Sequence, residues 1–128
     1  MKTRDFNMVG WFEIPVHGMD RAKAFYEKVF GITISVHDLG GVIMGWFPDA
    51  SGKKGASGSL VKHGMYKPSK TDGPLLYFTC PNLNNELSRV EAAGGEIMQS
   101  RTGIGGGHGF MALLKDSEGN RIALHSIK

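Results

Sequence analysis

Apolar and polar positions along this chain follow one pattern written twice, about 64 residues apart. In the first copy an apolar run at 12–16, Phe-Glu-Ile-Pro-Val, precedes Ala22, Phe25, Tyr26, Val29 and Phe30. Their three-and-four spacing is that of a helix burying one face. In the second copy the run at 75–80 precedes Leu83, Leu87 and Val90 at the same spacing. Helices are therefore expected over 20–30 and 83–93. Asp20 favours the positive end of the first helix dipole, and Gly31 is placed to take the left-handed conformation after its last turn. Asn82 after Pro81 is the expected N-cap of the second helix, and Gly94-Gly95 its stop.

Each predicted helix is followed by three short β-like runs, at 32–36, 42–47 and 58–62, then at 96–98, 110–114 and 121–125. The stretch Asp116-Ser117-Glu118-Gly119-Asn120 reads as a tight hairpin turn between the last two. Each half is thus strand, helix and three strands, which makes the chain α+β, with two βαβββ modules whose curved mixed sheets enclose a cleft. The expected organisation is a single domain over 1–128, with module one at about 9–66 and module two at about 73–127. A duplicated unit has a pseudo-twofold axis, so function is to be sought where side chains of both copies meet.

Composition narrows the function classes. A length of 128 residues with 41% hydrophobic and 21% charged residues is ordinary for a globular domain. The formal charge is only +3, and no basic stripe with interleaved aromatics is visible, which argues against a nucleic-acid surface. Cys80 is the single cysteine, so no disulfide framework exists and a reducing compartment is expected. The N-terminal apolar run is too short for a signal peptide or a membrane span, and a soluble cytoplasmic protein without membrane partners follows as the expectation. Uncovered apolar sheet edges and rims in so short a chain suggest a twofold homodimer.

The βαβββ-βαβββ order, the phrase Phe-Glu-Ile-Pro-Val before Arg21-Ala22-x-x-Phe25-Tyr26-x-x-Val29-Phe30-Gly31, and Asp-x-x-Gly-Asn within 116–120 together resemble the vicinal oxygen chelate superfamily. This is the glyoxalase I, bleomycin-resistance protein and extradiol dioxygenase group. The chain looks closest to its small single-domain members related to lactoylglutathione lyase. The resemblance implies a homodimer, and in metal-dependent members four His or Glu ligands around a divalent ion. Carried over, those positions fall on Trp11, near Gly58, on Leu75 and on Ala123, none of which donates a lone pair to zinc, nickel or iron. No metal ligand set and no cofactor are therefore expected, unless a non-standard site recruits one.

Two polar residues share the expected cleft-facing parity, Glu13 with Trp11 and His125 with Ala123. They are the candidate catalytic pair, as general base and acid on a bound substrate. Against this, Glu13 could bond an interior backbone group or Tyr77, and His125 could be a partly solvated strand-end residue. Trp11, Trp46, Leu75, Tyr77, His108 and Ala123 are the candidate ligand-binding residues. His108 lies in a glycine-rich loop that no helix follows, which argues against a phosphate cradle. His17 and His37 read as surface residues, and His63 as turned away from the cleft. Three functions stay open: a metal-free protein binding a small molecule, a lyase or isomerase of the glyoxalase type using Glu13 with His125, and a ligand-free interaction module.

Overall fold

Strand β1 (Trp11–Pro15) leads into helix α1 (Met19–Phe30) and then strands β2 (Ser35–Leu39), β3 (Val42–Trp46) and β4 (Ser57–Lys62) in the computed structural model, which describes residues 3–128. The second half repeats this with β5 (Tyr77–Thr79), α2 (Leu83–Leu87), β6 (Glu96–Gly103), β7 (Phe110–Lys115) and β8 (Arg121–Ser126). The sheets are β1-β4-β3-β2 and β5-β8-β7-β6, each with one parallel pair, β1 with β4 and β5 with β8. The fold is α+β with two mixed four-stranded sheets.

Alternation along the strands sends one face of each sheet to a shared core. Ile14, Val16 and Leu60 of the first sheet and Ala112, Leu114, Ile122 and Leu124 of the second meet α1 and α2 there. Because both helix-bearing faces are committed to that core, the opposite faces stay open, and the sheets are not closed around an enclosed cleft within the chain. The first strands of the two sheets approach through Phe12 and Phe78, whose ring centroids lie 5.8 Å apart.

Local chemistry explains where elements begin and stop. Gly31 ends α1 with φ 66°, and Asn82 caps α2 by accepting a hydrogen bond from the Asn84 amide. The second helix is shorter than its apolar spacing suggested. Asn84 and Asn85 are weak helix formers, and the Ser88 hydroxyl donates to the Asn85 carbonyl, so the segment tightens into turns before Gly94. Strand β2 starts later than expected because the Ile34 amide donates to the Glu27 carboxylate at 2.8 Å instead of joining a ladder.

The 116–120 turn ties the two halves together. The Asp116 carboxylate accepts from the Glu118 and Asn120 amides, from the Asn120 side chain and from the Tyr26 hydroxyl at 2.6 Å. Asn120 also donates to the Pro15 carbonyl, which anchors β1. Burial, with the Asp116 carboxylate beside it, holds the Tyr26 phenol well above its ordinary pKa. Glu118 accepts from the His17 and Gly18 amides at the start of α1 and from Arg21. Burial alone would raise its pKa. The bonds from Arg21, the two amides and Ser117 prevail and hold it at about 2.

Candidate functional site

The open face of the first sheet is built by strand register. Trp11 and Glu13 on β1 lie beside Ser57 and Ser59 on β4, and Ser59 lies beside Trp46 on β3. Trp11 is 47% exposed and Trp46 37%, large aromatic surfaces for an open sheet face. The His37 ring stacks on Trp46 with centroids 4.1 Å apart, which places His37 on this face and not merely at the surface. Glu13 is exposed and accepts a hydrogen bond from the Tyr66 hydroxyl at 2.8 Å, so its partner is neither Tyr77 nor an interior backbone group. A cavity of about 480 Å³ opens beside Glu13, Trp11 and Pro15, with Asn120 and Arg121 on its far wall.

Ser59 is the unexpected member of this face. Its residue is fully buried between Glu13 and Trp46, and its hydroxyl has no hydrogen-bond partner. A buried hydroxyl left unpaired costs about 1–3 kcal/mol, so such groups are rare in folded proteins and call for a reason. The sequence pointed to the wrong side of β4. The ligand position near Gly58 was expected toward the cleft, but Leu60, of the same parity, belongs to the core, and a Cβ on Gly58 would lie 2.6 Å from the Phe12 ring. Ser57, Ser59 and Val61 take the open face instead, and His63, read as turned away, continues their parity. The signal available was the pair of hydroxyls at alternate positions, Ser57 and Ser59. It was masked because Ser59 is covered by the side chains of its cross-strand neighbours Glu13 and Trp46, so β4 shows little polar-apolar alternation in exposure.

On the second sheet Tyr77, Ala123 and Leu113 lie in one cross-strand row, and Thr79, His125 and Met111 in the next. Tyr77 is 53% exposed, Ala123 is buried by its larger neighbours, and Leu75 is half-buried just before β5. The His125 Nε2 donates to the His108 carbonyl at 2.8 Å, which assigns the ring proton to Nε2 and leaves Nδ1 as an acceptor. Glu13 and His125 thus share the open-face parity on different sheets and have different hydrogen-bond partners.

The residues present do not fit the four-ligand metal site that the resemblance implies. Trp11, Leu75 and Ala123 carry no donor, Gly58 faces the core, and among the described residues no three of His, Cys, Asp and Glu gather where one ion would be held. Cys80 is a buried thiol whose pKa burial, with Glu86 beside it, pushes up to about 12, which makes it a poor nucleophile or ligand.

Comparison with known proteins agrees with this architecture. Maize (Zea mays) glyoxalase I superposes with a TM-score of 0.72 at 19% identity, over 91% of this chain and 45% of that one. The chain therefore spans a little under half the length of that enzyme. TnmS3, an antibiotic binding protein from Streptomyces sp. CB03234, matches at 21% identity and a TM-score of 0.67, over 97% of this chain and 98% of that one. A glyoxalase/bleomycin resistance protein from Albidiferax ferrireducens T118 matches at 17% identity and a TM-score of 0.70, over 94% and 98%. No curated protein sequence matches. At these identities the structural likenesses establish the fold. The model of the Glyoxalase/Bleomycin resistance protein/Dioxygenase superfamily matches residues 8–124, nearly the whole chain, and the chain belongs to that superfamily.

Proposed function

We propose that this protein binds a small molecule on its open sheet faces, through aromatic contact and hydrogen bonding and without a metal ligand set. The observation that carries the reading is the face itself, where Trp11 and Trp46 stand exposed on the same side as the Glu13 carboxylate and a cavity of about 480 Å³ opens beside Trp11 and Glu13. A flat or apolar ligand would pack on the indole rings while a hydrogen-bonding group on it meets the exposed Glu13 carboxylate. TnmS3, of similar length and fold, is an antibiotic binding protein, which supports a binding role for this architecture. Proton transfer by Glu13 with His125 is less favoured, because each is bonded to a different partner.

Native mass spectrometry of freshly purified protein, with metal analysis on the same sample, tests the reading. The expected outcome is a bound organic molecule and no stoichiometric transition metal. One tightly held metal ion per chain would overturn it. Once a ligand is in hand, binding should change Trp11 and Trp46 fluorescence. Trp46→Ala should weaken affinity about tenfold, and Ser59→Ala, which removes a buried unpaired hydroxyl, should raise the melting temperature.

A further inference from the structure

We propose a second site, adjoining the open face of the first sheet and sharing Lys67 with the cavity beside Glu13, that takes a small multiply charged oxyanion at the end of that sheet. The β1 and β4 strands run parallel, so both of their C-terminal ends reach the same edge, where the chain turns into α1 on one side and into the 63–68 connection on the other. A cavity of about 550 Å³ lies there, walled by His17, Lys62, His63 and Lys67, with Tyr66 between them. No carboxylate lines it. Along the sequence these four basic groups are separated by up to 50 positions. The fold collects them.

Of the neighbouring acids only Glu118 is ion-paired, while Glu13 and Asp38 keep their charge but have neutral hydrogen-bond donors and do not line the cavity. Glu13 accepts from Tyr66, Glu118 is buried against Arg21 and the α1 amides, and Asp38 accepts from the Gly41 amide. Neither Lys62 nor Lys67 has an ion-pair partner among the described residues. His63 supplies a donor without needing a second proton. Its Nδ1 accepts from the Met65 amide at 3.1 Å, so the neutral ring carries its proton on Nε2. Two ammonium groups and imidazole N–H donors around one cavity suit a phosphate-type group or adjacent carboxylates. A single carboxylate would satisfy too few of them.

Isothermal titration with pyrophosphate and with citrate, using acetate as the monoanion control, tests the proposal. Pyrophosphate or citrate should bind saturably and acetate should not, and the tighter of the two identifies the preferred oxyanion. The double variant Lys62→Gln/Lys67→Gln should weaken binding at least about tenfold. Lys53→Gln/Lys54→Gln removes the same charge from the distant β3–β4 loop and should change affinity less than twofold. Equal loss in both variants would reduce the effect to the protein's general positive field and overturn the site, as would the absence of saturation. Trp11→Ala, on the open face, should leave pyrophosphate binding intact. Failure of the proposed open-face function would therefore not touch this result.

Discussion

Glu118 shows how one side chain can carry the junction between the two halves. It sits at the N-terminus of α1, where two backbone amides and Arg21 stabilise its charged form against the cost of burial. Its folded pKa of about 2 lies below the ordinary value of 4.5. A depressed carboxylate contributes stability that is complete above the unfolded pKa and lost as pH falls through the folded one. Stability should accordingly drop between about pH 4.5 and pH 2, and Glu118→Gln should remove that component, costing about 2–3 kcal/mol at neutral pH. Urea denaturation of both proteins from pH 7 to pH 2.5 measures this. Parallel pH profiles would show that Glu118 does not carry the acid sensitivity. The Asp-x-x-Gly-Asn phrase was legible as a turn and a fold marker. Its partners Tyr26, Arg21 and the Pro15 carbonyl were not, because they lie about 90 to 105 positions away.

At the level of elements, strand β4 is where reading the sequence failed. Its residues Gly58, Ser59, Leu60 and Val61 are all buried, so the polar-apolar alternation that marks an exposed face is weak. The true parity follows from Gly58, against which the Phe12 ring packs. A Cβ there would stand 2.3 Å from the Phe12 carbonyl oxygen. Gly58→Ala must therefore push β1 and β4 apart, and we expect a loss of about 3 kcal/mol. A change within about 0.5 kcal/mol in denaturant titration would show that the strands yield easily. The first helix, by contrast, was read nearly to the residue, since its buried face Ala22, Phe25, Tyr26 and Val29 is continuous and Gly31 stops it. The second was overextended because apolar spacing continues through Val90 while its asparagines and Ser88 favour turns.

For the whole molecule, the open faces are the feature that a single chain leaves incomplete. Trp11, Trp46 and Tyr77 are each more than a third exposed, and Met8 and Val9 add apolar surface beside β5. Exposed apolar surface of this extent marks an interface or a ligand face. We expect a twofold homodimer that covers part of it, with light scattering at micromolar concentration giving twice the 13.9 kDa chain mass. A monomer mass would leave the faces to a ligand alone. Among the described residues no helix is long and apolar enough to cross a membrane.

The sequence by itself determined the duplicated βαβββ order, the helix faces, the caps and the tight turn. These depend on residues within a few positions of one another and on the periods of helix and strand. It also marked Trp11, Leu75 and Ala123 as unable to bind metal, because that follows from side-chain chemistry alone. Only the tertiary structure decided that the helix-bearing faces share one core and that Ser59 lies without a partner between Glu13 and Trp46. Only it brought His17, Lys62, His63 and Lys67 around one cavity. Each of these depends on strand pairing and packing between distant segments, which local pattern does not encode.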